Sequence, residues 1–166
     1  MSPCPLDAGQ EVFLSGARRL LLVLHAGASV VLIGSATHHA LRMRFYLRGD
    51  FSRVALERTY ARVVAASYAL TFAFGALLYP SYRVHVRAAF LDASAPDYAR
   101  LFDVKEFYAA VALVVALSLG GLSYVLEPKD EPELARVYAF ASVLVACVVW
   151  FEVIAGLLVT SVRGVG

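Results

Sequence analysis

Charged residues are scarce in this chain. Asp, Glu, Lys and Arg make up 17% of its 166 residues, and hydrophobic residues make up 60%, whereas soluble globular domains have about a quarter charged residues. The net charge of +2 is small and dispersed, so the chain lacks the basic surface of a nucleic-acid-binding protein. This composition predicts an integral membrane protein whose main partner is the lipid bilayer, with no nucleic-acid partner.

Cysteine is also rare. Cys4 lies near the amino terminus and Cys147 in the last apolar run, without a CxxC motif or the spacing of a metal site or a secreted disulfide framework. Walker, GxSxG, HExxH and dinucleotide-binding glycine motifs are absent from the sequence, which argues against hydrolases and nucleotide-driven enzymes. No short apolar core with a cleavage site precedes the first long run. We therefore expect no removable signal peptide and a first helix that stays as an anchor.

What the chain has in abundance is apolar sequence. Four runs are long enough for a helix to cross a hydrocarbon core, which needs about 20 residues; they cover residues 20–41, 63–82, 107–126 and 138–159. Lipid offers the backbone no hydrogen-bond partner, and unbroken runs of this length suit helices better than barrel strands. The sequence predicts an all-α fold, an integral membrane four-helix antiparallel bundle. It predicts a single transmembrane domain over residues 1–166, with helices at about 18–48, 52–82, 104–126 and 131–162.

The connections between the runs differ in kind. The first helix is expected to continue to Gly49 and the second to begin at Asp50 or Ser52, as a helical hairpin that projects into water. Residues 127–133 are expected to form a short turn whose acidic residues have the spacing of a capping box. Residues 81–103 are expected to form a long loop that packs over the polar side chains at that end of the bundle, because long loops in small domains are usually functional.

Basic residues near the membrane predict the orientation. Six arginines lie between residues 42 and 62, and Lys129 and Arg136 lie on the same side, against seven basic residues on the opposite side. Because cytoplasmic connections are enriched in Arg and Lys, the dense first hairpin is expected to be cytoplasmic. Both termini then lie on the periplasmic side of a bacterial inner membrane.

Two ionisable residues, His25 and Glu152, lie well inside apolar sequence. An isolated charge in lipid costs several kcal/mol, so such a group needs a partner and marks a candidate functional site. The antiparallel topology brings Lys105 and Glu106 to the same membrane side, which predicts a buried polar cluster of Lys105, Glu106 and Glu152. Glu152 is expected to pair with His25, Lys105 or an arginine of that side. The alternative is that a Lys105–Glu152 pair only holds two helices together.

The histidines of the first run suggest a cofactor. His25 and His39 are about 40° apart on one helix face and about 21 Å apart along the axis, whereas His38 points elsewhere. Imidazole is a standard axial ligand of haem iron, and this spacing resembles that of the membrane di-haem b cytochromes. The later runs contain no histidine, which leaves His85, just past the second run, to complete a haem b site at His25. The alternative is that these histidines are ordinary core or interfacial residues.

Two arginines flank His85. Arg83 and Arg87 are four residues apart and lie on one face if the segment is helical. Their guanidinium groups could bind an anion, such as a porphyrin propionate, a lipid phosphate or an acidic partner surface. The alternative is that they extend to lipid headgroups as ordinary positive flanks.

A second resemblance covers His25 and Lys105 with their settings. His25 lies near the start of the first helix with small residues after it, and Lys105 opens the third helix within Asp103-Val104-Lys105-Glu106. In this the chain resembles the small membrane proteins grouped around the HemJ-type protoporphyrinogen oxidases and the CopD-type copper-resistance proteins. The HemJ-type resemblance implies that His25 and Lys105 take part in haem and porphyrin chemistry. The chain lacks the other histidines of that pattern, so the substrate and reaction stay open.

These observations leave three functions open. The first is a haem b-binding redox protein that passes electrons to or from a quinone, alone or as the redox subunit of a membrane complex. The second is a non-catalytic structural subunit of a larger membrane complex. The third is a proton-coupled carrier or conduit that uses Glu152, His25, Lys105 and Glu106. The sequence does not decide whether the chain is an enzyme.

Overall fold

The computed structural model describes residues 15–163, which are helical apart from short connections and contain no strand. All four long helices are long and apolar enough to cross a membrane. The predicted all-α class is confirmed for this part of the chain, whereas Cys4 and the question of a signal peptide lie outside it. The elements are a short 3-10 turn (Ser15–Ala17) and the helices α1 (Arg18–Leu47), α2 (Val54–Tyr82), α3 (Pro96–Val125) and α4 (Pro132–Val162).

The outer surface of these helices is apolar. Each helix carries large apolar side chains with more than half of their area exposed, among them Val30, Leu70, Phe107 and Leu157. A soluble monomer rarely exposes large contiguous apolar patches. Outward-facing side chains of this kind are what a helix bundle presents to lipid.

Small residues allow close approach of the helices in the core. α1 packs on α2 and α4, and α3 packs on the same two helices, with buried alanines such as Ala61 and Ala116 along these contacts. α3 approaches α2 closely at Gly120, where an added Cβ would stand 2.6 Å from the Cβ of Ala65, whereas the next residue, Gly121, faces open space. The packing of α3 on α2 therefore depends on the missing side chain at position 120.

One polar contact joins the outer faces of α1 and α4. The Nε1–H group of Trp150 donates a hydrogen bond to Thr37 Oγ1 at 3.0 Å. Trp150 is the chain's only tryptophan, and it is 46% exposed. The indole therefore lies at the surface of the bundle, on the line where the first and last helices meet.

The turn between α1 and α2 forms at Gly49, as predicted. Gly49 has a φ of 74°, a left-handed conformation that glycine adopts without strain. The predicted N-cap at Asp50 or Ser52 is wrong, because α2 begins at Val54 without a side-chain cap. Asp50 instead accepts the backbone N–H of Ser52 at 3.0 Å, so its carboxylate stabilises the turn.

The hairpin around this turn is partly enclosed, which corrects the expectation that it projects into water. Met43, Tyr46 and Glu57 are 0%, 5% and 2% exposed. Leu126, just after α3, and Tyr138, near the start of α4, belong to the same core cluster as Met43 and Tyr46. The two connections at this end of the bundle pack on each other and bury these side chains.

The stretch predicted as a long loop is helical. α2 continues into a π-helical segment, Arg83–Leu91, followed by one turn, Asp92–Ser94, and Ala95 alone separates this turn from α3. Burial of apolar side chains stabilises the continuation, and the five-residue spacing of Val86 and Leu91 matches a π-helical turn. Val86 and Leu91 are 0% exposed and pack in a small cluster with Tyr82, Ala99 and Val159.

The predicted capping box before α4 is also wrong. α4 begins at Pro132 without a side-chain cap, and Glu133 pairs with Arg136 at 2.8 Å on the exposed surface. Proline suits the first position of a helix, because its missing N–H would have no partner there.

Candidate functional site

An ion pair joins α3 and α4 inside the bundle. Lys105 Nζ lies 3.1 Å from Glu152 Oε2, and the two side chains are 21% and 14% exposed. This pair is one of the contacts that the sequence predicts for Glu152. The aliphatic part of Lys105 lies beside Gly156, one turn further along α4, where a Cβ would stand at ordinary contact distance, 3.6 Å from Lys105 Cε.

His25 of α1 lies within electrostatic range of Lys105 and is held by α2. Its Nδ1 lies 3.0 Å from the carbonyl oxygen of Thr71, and because a carbonyl only accepts, Nδ1 carries the proton and Nε2 has the free lone pair. Gly75, one turn further along α2, lies against the ring: an added Cβ would stand 3.4 Å from His25 Cε1. The ring is therefore held in one tautomer and one orientation.

Two further polar side chains of α2 belong to the same region, and sequence reasoning missed them as site residues. Tyr68 is 3% exposed, and its hydroxyl has no hydrogen-bond partner among the described residues; the same holds for Thr71 Oγ1 and for the second carboxylate oxygen of Glu152, Oε1. In the sequence, Tyr68 and Thr71 fit a stripe of packing residues. The one available signal was a tyrosine in the middle of an apolar run.

These residues form the polar centre, which we define as His25, Tyr68, Thr71, Lys105 and Glu152. Each of the four long helices contributes at least one of them. Glu106, predicted to join Lys105 and Glu152, is half-buried and makes no ion pair among the described residues. The polar centre thus contains one acid, one base and one imidazole, and three of its oxygen atoms have no hydrogen-bond partner among the described residues.

The structure does not bring His85 next to His25, so the pairing of the two as haem ligands stays a prediction without support from the fold. His25 lies level with Thr71 and Gly75, and ten further residues along a helix correspond to about 15 Å. His85 is also exposed on the π-helical segment. The described residues contain no group of three or more His, Cys, Asp or Glu side chains arranged to hold a metal ion.

Arg87 is already neutralised by acidic residues of this chain. Its Nη1 and Nη2 atoms donate to the two carboxylate oxygens of Asp103 at 2.5 and 3.0 Å, and its Nε lies 3.5 Å from Asp92. Arg83 and Arg87 line an open cavity of about 420 Å³ with Tyr79, Ala88 and Asp92. The predicted anion site is therefore lined by basic and acidic side chains together, and one of its two guanidinium groups, that of Arg87, is already paired.

The other two histidines of α1 face in different directions. His38 is exposed, its Nδ1 lies 2.8 Å from the Gly34 carbonyl, and its ring stacks on Tyr60. His39 is 2% exposed and packs edge-on against Tyr138, with 5.8 Å between ring centroids. His39 is thus enclosed among core side chains whereas His25 lies beside Thr71, and the two-haem spacing of these histidines stays a prediction.

Comparison of the chain with models of protein families gives no match. The comparisons with curated proteins and with solved structures give none either. The assignment of a function therefore depends on the residues of the polar centre and their geometry.

Proposed function

We propose that this chain is an integral membrane protein that crosses the bilayer as an antiparallel four-helix bundle. The apolar outer surface supports this, and so do the contacts along α1 and α2: Arg42 binds Glu57 beside the turn, and His25 binds Thr71 well away from it. The arginine-rich turn at Gly49 faces the cytoplasm of a bacterial cell, and both termini face the periplasm.

Within this bundle we propose that the polar centre moves protons, as part of a proton-coupled carrier or conduit. The observation that carries the proposal is the Lys105–Glu152 ion pair, set among apolar helices with one carboxylate oxygen unpartnered. Ionisable side chains inside membrane helices are costly, and proton relays are among their main uses. The proton-accepting group is the carboxylate of Glu152.

The arrangement couples the ion pair to protonation. When Glu152 accepts a proton on Oε1, the carboxyl group becomes neutral and no longer attracts the ammonium group of Lys105 as an ion. His25 presents the lone pair of Nε2 as a second acceptor, because Thr71 holds Nδ1 as the donor. The carboxylate of Glu152 and Nε2 of His25 are therefore two proton-accepting sites within the bundle.

A flux measurement tests this function. Purified protein is reconstituted into liposomes with an entrapped pH-sensitive dye, and a potassium diffusion potential drives protons inward. We expect wild-type flux well above that of empty liposomes and a loss of about tenfold or more in Glu152→Gln, the typical scale for removing a positioned proton-transfer group. Glu133→Gln is the matched control, since Glu133 lies on the same helix but is exposed, and it should keep wild-type flux.

Two results would contradict the proposal. Wild-type liposomes that conduct no better than empty ones would remove the proton function, and the ion pair would then serve packing, as in a structural subunit. Equal flux in the wild type and Glu152→Gln would show that Glu152 is not the proton acceptor.

A second candidate function, a haem b-binding redox protein, is favoured by the hydrogen bond between His25 and Thr71. Metal-ligating histidines usually donate their other ring nitrogen to a carbonyl or carboxylate, and His25 does so through Nδ1. His25 would supply one axial nitrogen, and no second histidine meets it among the described residues. Such a protein would exchange electrons with a quinone or a neighbouring membrane subunit, because haem b supplies a one-electron couple.

The absorbance spectrum of protein purified without added cofactor tests this second candidate. A haem protein shows a Soret band that shifts on reduction with dithionite. His25→Ala should abolish that band, and His38→Ala should keep it, because His38 faces away from the bundle interior. A colourless wild-type protein contradicts the haem function and leaves the proton function standing.

A further inference from the structure

A second buried acid lies at the opposite end of the bundle from the polar centre. Glu57, in the first turns of α2, is 2% exposed, and its Oε1 accepts a hydrogen bond from Arg42 Nε. Its other oxygen, Oε2, is buried and has no hydrogen-bond partner among residues 15–163. This second oxygen is therefore a vacant hydrogen-bond acceptor in the interior.

One imidazole and two phenols pack together at this end of the bundle, and both phenols lie within electrostatic range of Glu57. His39 packs on Tyr138 at 5.8 Å and Tyr138 lies 6.3 Å from Tyr46, measured between ring centroids. All three side chains are at most 5% exposed, and His39 Nε2 is buried without a partner in the described part of the chain. His39 and Glu57 thus repeat at this end the combination of imidazole and carboxylate found in the polar centre.

Two further arginines at this end of the bundle, Arg58 and Arg62, bind groups other than Glu57. Arg58 donates to the carbonyl oxygen of Leu126 at 2.8 Å and to Glu127 at 2.7 Å. Arg62 donates to Ser123 and lies over the ring of Tyr124. These two arginines are bound to α3 and its C-terminal end, which leaves Arg42 as the direct partner of Glu57.

Buried hydroxyl groups lie between the two ends of the bundle. Tyr68 is the polar-centre residue nearest in sequence to the Glu57 end of α2, and its hydroxyl is unpartnered in the described chain. Ser35 lies one turn before His39 on α1, and Ser142 lies one turn after Tyr138 on α4; both are buried. Their hydroxyls donate to carbonyls of their own helices, so each oxygen still has a lone pair to accept from a neighbour.

We propose that His39 and Glu57 form the second terminus of a proton route that begins at Glu152 and passes Tyr68. This inference rests on the proposed function and deepens it, because it names the path across the bundle. Buried polar atoms in membrane interiors are satisfied by one another or by ordered water. The five unpartnered atoms of Glu152, Thr71, Tyr68, His39 and Glu57 are the places where such waters bind.

The transfer balances at each step. A proton bound to Glu152 moves to the oxygen of Tyr68 through water, while the phenol releases its own proton towards His39, so that Tyr68 ends neutral. His39 accepts that proton at Nε2 and passes it to Glu57 Oε2, and Glu57 then releases it to water at the Arg42 end. Each group returns to its starting state, and one proton crosses the bundle with no oxidant or reductant.

The liposome flux assay tests the route with substitutions that keep ring volume. Tyr68→Phe removes one oxygen atom, and His39→Phe removes both ring nitrogens but keeps an aromatic ring against Tyr138. We expect each to lower proton flux by about tenfold or more. His38→Phe is the matched control: it changes the neighbouring residue, whose ring lies on the outer surface stacked on Tyr60, and it should conduct as the wild type does.

The outcomes separate the route from the proposed function. If Glu152→Gln loses flux while folded Tyr68→Phe and His39→Phe conduct as the wild type does, the route is wrong and the proton function stands. If the wild type conducts no better than empty liposomes, the proton function fails and the route fails with it. Loss of flux in His38→Phe equal to that in His39→Phe would also overturn the route, because the effect would not depend on the buried ring.

Discussion

Replacing Lys105 by methionine is expected to lower the free energy of unfolding by about 3 kcal/mol, the lower end of the range for breaking a buried ion pair. The reason is that Glu152, 14% exposed, would keep a charge without a partner. The lower end applies because both side chains retain some exposure. For a chain of this size the loss corresponds to a fall in the melting temperature of roughly 6–12 °C, measurable by thermal unfolding in detergent.

A double substitution separates the structural role of this pair from the proton-transfer role proposed for it. Lys105→Met with Glu152→Leu replaces the ion pair by apolar side chains of similar volume, a change that is often neutral or stabilising, so most of the lost stability should return. Arg136→Met, which breaks an exposed pair with Glu133, should change stability by less than about 1 kcal/mol.

A Lys105→Met protein as stable as the wild type would show that the pair does not hold α3 on α4. A stable double variant without proton flux would show that the pair serves transport rather than packing.

Gly120→Ala is expected to destabilise the bundle by about 1–3 kcal/mol, the usual cost of overpacking a core. A Cβ at this position would stand 2.6 Å from the Cβ of Ala65, a separation that requires α2 and α3 to move apart. A side chain as short as alanine has no rotamer with which to avoid the clash. The measurement is again the thermal unfolding temperature in detergent.

Gly121→Ala is the control for this substitution. It makes the same chemical change one residue later on the same helix, where an added Cβ meets no atom within 4 Å. Removal of a helical glycine should leave stability unchanged or raise it slightly, because alanine has the higher helix propensity. If the two variants had the same melting temperature, the close contact inferred between α2 and α3 at Gly120 would be wrong.

Much of the fold was predictable because long apolar runs determine helices. The predicted helices at about 18–48 and 131–162 match α1 and α4 closely, and Gly49 was recognisable as a helix stop. The helical course of residues 81–103 was not, because its mixed composition is typical of a loop. Its helicity depends on tertiary contacts of Val86 and Leu91 with α3 and α4, which have no local signal.

The polar centre was partly predictable. Topology alone placed Lys105 near Glu152, since both lie near the same end of neighbouring helices. The burial of Glu57 was not predictable, because six arginines within 21 residues indicate a solvated hairpin. Which of these arginines would bind the acid, and which would bind the end of α3, depends on how the two connections pack together.

The hydrogen bond between Trp150 and Thr37 gives the molecule a built-in optical probe. With one indole in the chain, all tryptophan emission arises from a single point on the seam between the first and last helices. Because that indole is half exposed at the bundle surface, bromine or nitroxide groups placed at known positions along lipid acyl chains would quench it according to its depth. The emission of the unmodified protein thus tests, without a label, whether α4 enters the bilayer and to what depth.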